Sequence, residues 1–581
     1  LWNRTAAAGL DAYARAHPGR ARSVALAEAL ALGRSERLTA DLRESYRRGG
    51  IYHLLVFSGM QIAIAAAFLS LILRGFGAPR AADLMLLLLS LTAPPFAGHE
   101  ASVSRASWML GLYAASRLMQ RPTPAANLLF VSAMIRLTLV PTELSNAGFL
   151  LTYAATGGLV LFGPALAALF ARRKFLLALA AGLGAEIATT GLVLFFFHQY
   201  VIGSSLVTIA LSPLVTAMLA LSASAALAVV FCPAATGLCL EALSRLDGLI
   251  AMATDLIANR LGLFGFAPRP HLFVLLAAWI ASLLLFAISR SRQTRIAAVL
   301  LLLVPVADSL VLARTRAHIR GPQLEMLDVG QGDSMLLRTS TGSMLVDGGG
   351  KAGDDDFGRR VLLPMLAERA VRSIDVIALS HPDGDHCGGL PGVVAAIPVH
   401  EIWISRRHLD SLCGQRLLDL ASNRHILVLL MPATPEMRRI GLRIEPLVPR
   451  LTFKHSPVNN SSVVYRITAA GTRVLLTGDI EKDAETLLAD EERETISADI
   501  LKVAHHGSRT SSSEGFIDAV RPRIALISCG FRNPFGHPGA VTLSRLRQHH
   551  AVTYRTDRNG AILLRLGEWP TPVETESQRI P

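Results

Sequence analysis

The sequence predicts a polytopic α-helical membrane domain followed by a soluble domain of strands and helices, and three observations carry that reading. Hydrophobic residues make up 51% of the 581 residues and charged residues only 17%, whereas a soluble domain is about 25% charged. The apolar residues concentrate in 51–313, while 314–581 has the composition of an ordinary globular domain. In that second part, short apolar strands end in clusters of His and Asp. A chain of this length exceeds one hydrophobic core, so at least two domains are expected.

Taken in order, residues 1–50 form an amphipathic N-terminal segment. Leu and Ala recur at helical spacing among Arg and Glu over 23–48, which predicts a helix on the membrane surface. Residue 1 is Leu, and the natural N-terminus is expected upstream of it. A crossing helix needs roughly 20 apolar residues. About ten spans are predicted in 51–313, near 51–73, 83–98, 104–119, 125–140, 147–170, 175–198, 204–231, 236–258, 271–289 and 296–313. The stretch 236–258 carries Glu241, Arg245, Asp247 and Asp255, so a helix along the membrane surface is the alternative there. Prolines at 94, 95 and 213 predict broken helices or kinks. Gln61, Arg105, Arg136, Glu186 and His198 lie inside spans, where polar groups are costly and either pair internally or serve function.

Basic residues follow alternate spans: Arg74 and Arg80, then Arg117 and Arg121, then Arg172, Arg173 and Lys174, with Arg290, Arg292 and Arg295 before the last. Basic loops prefer the cytoplasm, so ten spans leave the C-terminal domain outside it. Arg47, Arg48, Arg314, Arg316 and Arg320 stand on the opposing side of that scheme. The net charge of +13 favours anionic partners, nucleic acid or lipid head groups. Five cysteines without a CxxC pair suggest neither a disulfide framework nor a cysteine zinc cage.

A linker at 314–322 leads to a hydrolase domain at 323–570, followed by a tail at 571–581. Strands are predicted over 323–329, 334–339 and 343–347, a helix over 361–370, and a buried strand over 374–379. That strand runs into Ser380-His381-Pro382-Asp383-Gly384-Asp385-His386-Cys387, where two His and two Asp fall within six residues. A strand at 474–476 ends in Thr477-Gly478-Asp479, and one at 500–504 ends in His505-His506-Gly507-Ser508. Metal-type donors thus recur at three strand ends.

The pattern His381-x-Asp383-x-Asp385-His386, with Asp479 and His505-His506, resembles the metallo-β-lactamase hydrolases, whose fold is an αββα sandwich with two metals at one edge. Five further words are more specific. Asp328-Val329-Gly330-Gln331-Gly332-Asp333-Ser334, Leu475-Leu476-Thr477-Gly478-Asp479, Leu501-Lys502-Val503-Ala504-His505-His506-Gly507-Ser508, Asn533-Pro534-Phe535-Gly536-His537-Pro538 and Thr556-Asp557-Arg558-Asn559-Gly560 resemble the ComEC family of DNA-uptake channel proteins. In the membrane half, residues 50–61, 102–106 and 147–153 are similar to that family's competence-domain signatures. Members usually carry initial spans and a small β-barrel domain ahead of this region, which the sequence does not include.

The resemblance implies a ligand set. His381 and Asp383 would bind one metal, Asp385 and His386 the other, and Asp479 would bridge them; His505 would complete the second site, with His506 the alternative. Asp383 and Asn460 stand where the wider fold usually has histidines. Harder oxygen donors suit Mn²⁺ or Mg²⁺ better than an all-imidazole site would, so two divalent ions are expected, Mn or Zn, with Mg also compatible. Asp385 would orient a hydroxide, and His506 or His537 would protonate the leaving oxygen. Asn460, Lys502, Ser508 and Asn533 are expected to contact substrate, and Asp347 to shape the site from behind the ligands. His408, His425 and His455 read as core or surface residues, and Cys387 as packed against its turn.

The implied function is a DNA-uptake channel of natural transformation in the bacterial inner membrane. It passes single-stranded DNA, while a metal-dependent nuclease degrades the other strand. A channel with a non-hydrolytic binding domain, and a membrane-anchored phosphoesterase for envelope polymers, are the alternatives. Implied partners are DNA, the lipid bilayer, DNA-receptor and DNA-translocase components of the competence machinery, and a second copy in a homodimer.

Overall fold

The computed structural model describes residues 2–55, 59–97, 101–168, 174–288, 291–351, 357–432, 434–449, 458–568 and 570–576. Residues 56–58 of the first signature, Arg172, Arg173, Arg290 and His455 lie outside the described residues. The chain divides into two units, Leu1–Leu312 and Ala313–Pro581.

The first unit is helical apart from an antiparallel ribbon of β1 (Gln199–Val201) and β2 (Phe264–Phe266). Among the described residues, four helical stretches are long and apolar enough to cross a membrane: Ala147–Ala167, Leu176–Phe197, Ser204–Phe231 and Arg292–Ala317. The last is two helices, Arg292–Leu301 and Val304–Ala317. The remaining predicted spans coincide with helices Gly59–Gly75, Pro79–Ala97, Ala101–Leu118, Ala125–Leu139, Pro233–Asp255 and Leu272–Ile288, which fall short in length or apolarity.

Two expectations change here. The segment 23–48 is not one surface helix. It forms helices Ala21–Leu32 and Ala40–Arg48, and the first is almost wholly buried. Leu26 and Leu30 pack with Val215 and Met218 of Ser204–Phe231 and with Leu240 and Leu243 of Pro233–Asp255. Ala and Leu occupy most of its circumference, so neighbours enclose it. Asp247 is likewise internal, 2.6 Å from Arg22 Nε and 3.0 Å from the Tyr46 hydroxyl. The predicted proline breaks are also missing. Pro213 sits inside the continuous helix Ser204–Phe231, and Pro94 and Pro95 inside Pro79–Ala97. Among the described residues of this unit, π-helical stretches fall instead at Gly158–Phe162, between Ala147–Gly157 and Gly163–Ala167, and at Leu256–Arg260, after Pro233–Asp255. A Cβ on Gly158 would collide with the Gly184 carbonyl, so glycine lets two helix backbones touch there.

Polar groups within spans are partnered inside the unit. Arg105 donates to Thr152 O at 2.7 Å and to the Thr156 hydroxyl, and Arg136 pairs with Glu143. Glu186 accepts from the backbone N–H groups of Gly203, Ser204 and Ser205 at 2.9–3.1 Å, capping the start of Ser204–Phe231.

The second unit is a two-sheet sandwich. Its strands are β3 (Gln323–Met326), β4 (Met335–Thr339), β5 (Gly342–Val346), β6 (Ile374–Ala378), β7 (Val399–Ser405), β8 (Leu427–Met431), β9 (Met437–Arg439), β10 (Leu442–Leu447), β11 (Val464–Ala469), β12 (Thr472–Leu476), β13 (Ile500–Lys502), β14 (Ile524–Ile527), β15 (Val552–Arg555), β16 (Ile562–Arg565) and β17 (Val573–Thr575). One sheet has the order β17-β16-β3-β4-β5-β6-β7-β8, the other β15-β14-β13-β12-β11-β10-β9. Alternation places Met344, Val346, Val376, Ala378, Tyr465, Ile467, Val474 and Leu476 in one core between the sheets. The intervening Leu475 and Leu501 face helices Lys482–Glu491 and Glu514–Val520, packing with Leu488 and Phe516. Strands buried on both faces explain the near-continuous apolar runs in the sequence.

Candidate metal centre

Pairing of β5 through β8 is parallel, as is that of β12 through β15. Parallel strands bring their C-terminal ends to one edge, where open sheets place ligands. β6 runs into Ser380-His381, and the short helix Gly384–Cys387 presents Asp385 and His386. β12 runs into Asp479, and β13 into the turn Ala504–Gly507. Asp347, His505 and His506 have φ of 60°, 51° and 53°, a region costly for residues with a Cβ. Such conformations persist where surrounding structure enforces them, and they gather at functional sites. Gly332 has φ of 129°, and a Cβ there would strike the Asp385 carbonyl. Only glycine lets the loop before Asp333 pass so close to the ligand turn.

Asp385, His386, Asp479 and His506 offer four donor atoms within 4.8 Å of one another. His386 Nε2 lies 3.3 Å from Asp479 Oδ1, and His506 Nε2 lies 3.3 Å from Asp385 Oδ2 and 3.4 Å from Asp479 Oδ2. His381, Asp383 and Asp385 form an adjoining group of three. His381 Nε2 is 3.8 Å from Asp383 Oδ2 and 4.0 Å from Asp479 Oδ2, so Asp385 and Asp479 both face the two groups.

The two deepest imidazoles are aimed from behind. His386 Nδ1 is 2.9 Å from Asp347 Oδ2, and that carboxylate also accepts from Ser380 N at 2.8 Å and Ser380 Oγ at 2.6 Å. His506 Nδ1 is 3.0 Å from Ser528 O and 3.3 Å from Asp333 Oδ1. With Nδ1 held by an acceptor, Nε2 turns toward the cluster, as in metal-bound histidines. His381 Nε2, His386 Nε2 and His506 Nε2 are buried without a hydrogen-bond partner. Buried polar atoms are rarely left unsatisfied. Three unsatisfied nitrogens converging on carboxylates fit a divalent cation of the kind that takes imidazole and carboxylate ligands.

The electrostatics follow from this crowding. Burial opposes ionisation of Asp479, but His506, His386 and Lys502 outweigh it and hold its carboxyl well below the usual range. Burial disfavours charge on His386 and His506, yet Asp479 and Asp333 raise both well above the ordinary histidine value. His381 is held well below that value by burial and by the neighbouring His386. Burial raises the Asp383 carboxyl, with Asp385 adding to it.

The remaining expected site residues are placed as follows. His506, the alternative donor, enters the four-membered cluster. His505 stands at its flank, with Nε2 3.9 Å from Asp479 Oδ2 and Nδ1 3.3 Å from Glu481. The His537 ring centroid lies 5.7 Å from that of His505 and 6.5 Å from that of His506. The four residues expected to contact substrate have these partners within the protein. Lys502 is 1% exposed; its ammonium pairs with Asp333, sits 3.5 Å from Asp479 Oδ1 and donates to Gly478 O at 2.9 Å. Asn460, also buried, accepts from Glu481 N at 2.7 Å. The Ser508 hydroxyl engages Thr510 at 2.9 Å, and the Asn533 amide clamps its own loop. Sequence reasoning singled out neither Asp333 nor the role of Lys502. A lysine within the apolar strand 500–504 was the available signal, since a buried charge demands an opposite one.

Cysteine usage is also corrected. Cys387, next to His386, is disulfide-bonded to Cys413, with Cα atoms 6.4 Å apart. His408 is buried with Nε2 3.0 Å from Ser461 Oγ, and His425 is exposed.

Comparison with known proteins gives two family matches. Residues 30–292 match the competence protein family, and residues 327–530 match the metallo-β-lactamase superfamily. The chain is 28% identical over 574 residues to ComE operon protein 3 of Bacillus subtilis (strain 168), covering 94% of this chain and 71% of that protein. It is 32% identical over 240 residues to competence protein ComA of Neisseria gonorrhoeae, covering 41% of this chain and 32% of that one. Among solved structures it is similar to the metallo-β-lactamase fold protein YhfI from Bacillus subtilis, with 13% identity, a TM-score of 0.29, and coverage of 40% of this chain and 96% of that chain.

Proposed function

We propose, for a chain that belongs to the competence proteins through residues 30–292 and to the metallo-β-lactamase superfamily through residues 327–530, that it serves DNA uptake and carries a metal-dependent phosphodiesterase that cleaves DNA. The helical unit passes one strand across the inner membrane, and the sandwich unit degrades the strand left behind. The observation that carries the hydrolytic part is the convergence of His381, His386 and His506 Nε2, all unsatisfied, on Asp385 and Asp479.

In this reading Asp385, His386, Asp479 and His506 would hold one divalent ion, and His381 and Asp383, with Asp385, would hold a second. Mn²⁺ or Zn²⁺ suits these donors. Bound there, such ions would supply a water acidic enough to ionise near neutrality and would neutralise charge on a phosphodiester. Asp385, half-open to solvent beside His506, accepts a hydrogen bond from the attacking water and aligns it. His537 stands at the rim, nearer to incoming substrate than the buried His506, and moves the proton. Asp333 and Asp347 keep the imidazoles in register from behind. The Cys387–Cys413 disulfide supports an extracytoplasmic hydrolase, because disulfides persist in oxidising compartments.

The test is cleavage of linear DNA by the purified full chain with Mn²⁺ or Zn²⁺. Asp385→Ala should lower the rate by roughly 100-fold or more, and a chelator should abolish it. Equal activity of Asp385→Ala and the native chain, or hydrolysis of a polyol-phosphate polymer but not of DNA, would remove the nuclease reading.

A further inference from the structure

Beyond the metal donors, the loop after β14 carries Gly530-Phe531-Arg532-Asn533-Pro534-Phe535-Gly536-His537-Pro538. Nothing about a surface turn calls for two phenylalanines, yet Phe531 is 74% and Phe535 66% exposed. The loop holding them is firmly built. Asn533 Nδ2 donates to Gly530 O at 3.0 Å and His537 O at 2.7 Å, and Asn533 Oδ1 accepts from His537 N at 3.0 Å. Gly530 N donates to Gln331 Oε1 at 3.1 Å, tying the loop to the turn before Asp333.

The rings are ordered relative to the metal donors. Phe535 stacks on His537, with centroids 5.9 Å apart and planes 13° from parallel. His537 in turn faces His505 and His506. The Arg532 guanidinium lies 5.1 Å from the Phe531 ring centroid and is exposed. A fixed loop therefore displays two open aromatic faces and one cation beside a centre suited to phosphodiesters. An unpaired nucleotide has that composition, a flat π face and an adjoining phosphate, and stacking on aromatics is how single strands are gripped without regard to sequence.

We propose that Phe531 and Phe535 form a stacking platform for unpaired bases of a DNA strand whose phosphodiester lies at the metal centre, with Arg532 meeting a neighbouring phosphate. The proposal rests on the phosphodiesterase reading and deepens it. It makes the base, and not only the backbone, part of what the site recognises, and it separates DNA from envelope polymers that have phosphates but no aromatic face.

The experiment compares two strands of equal length on the full chain with Mn²⁺: an oligothymidylate and the same backbone with abasic spacers at every position. Binding is read by fluorescence anisotropy, and cleavage by KM and kcat. Loss of one stack weakens binding roughly 5- to 150-fold. The native chain should bind the thymidylate at least about tenfold more tightly than the abasic strand. Phe531→Leu with Phe535→Leu should erase that advantage, raising KM for thymidylate toward the abasic value. Phe531→Tyr with Phe535→Tyr, which keeps the faces, should retain the advantage. Equal affinity of the native chain for both strands overturns the platform, as does a preference that survives the leucine pair. Base-dependent binding without cleavage would overturn the hydrolytic reading and leave the platform standing.

Discussion

His505 and His506 are adjacent, both have left-handed backbones, and only one enters the four-donor cluster. The chain places them on opposite sides of a tight turn, so one imidazole enters while the other leans on Glu481. What selects His506 is its Nδ1, held between Ser528 O and Asp333. Neither partner is near it in sequence, which is why the choice between the two histidines was illegible before folding. The contiguous donors His381, Asp383, Asp385 and His386 were legible because a strand end delivers them as a block. Asp333 was not, since it arrives from the glycine-rich turn between β3 and β4, far from that block in sequence. Metal content after gel filtration distinguishes the two histidines. His506→Ala should weaken metal retention by roughly 10- to 100-fold or more, and His505→Ala by far less. The reverse order would exclude the assignment.

At the scale of elements, the helix Gly384–Cys387 is four residues long and cannot hold itself together. Beyond its own Cys387 N to Asp383 O bond at 2.9 Å, two backbone bonds fix it from outside: Asp333 N donates to Asp385 O at 3.0 Å and Gly348 N to His386 O at 2.6 Å. The disulfide to Cys413 adds a covalent tie to the helix Leu412–Arg424. No spacing rule marks a pair 26 residues apart, so the bridge is invisible in sequence. Closing a loop of that length stabilises by roughly 3.5 kcal/mol in the chain-entropy view. Cys413→Ser should therefore make the sandwich unit more susceptible to pulse proteolysis in denaturant. A reductant should shift the native chain to the same curve and leave the variant unmoved. Two alkylatable thiols at Cys387 and Cys413 in protein prepared without reductant would contradict the bridge. The helix Ala21–Leu32 shows the same limit from the other side. Its Leu and Ala pattern gave the helix but not its burial, because enclosure by Ser204–Phe231 and Pro233–Asp255 is a tertiary outcome.

For the molecule as a whole, the division into two units was legible because hydrocarbon and water select different compositions. Packing within the helical unit was not, since spans apolar all round carry no periodicity to orient them. Its internal charges are largely spoken for: Arg105 by Thr152 and Thr156, Arg136 by Glu143, Glu186 by a helix start. A cation already satisfied by the protein adds little attraction for a phosphate, so under the proposed function the energy that would drive a strand through this unit comes from elsewhere. In that proposal, removal of the opposite strand would be one source, because it would prevent the duplex from re-forming behind the entering strand. On this account hydrolysis and passage are coupled although the units are separate. Cells carrying Asp385→Ala should bind labelled duplex at the surface as the native strain does. They should also accumulate roughly 100-fold less nuclease-protected single strand, matching the loss of cleavage. Native levels of internalised strand in Asp385→Ala and Asp479→Ala cells would mean that the sandwich only binds DNA and that passage runs without it.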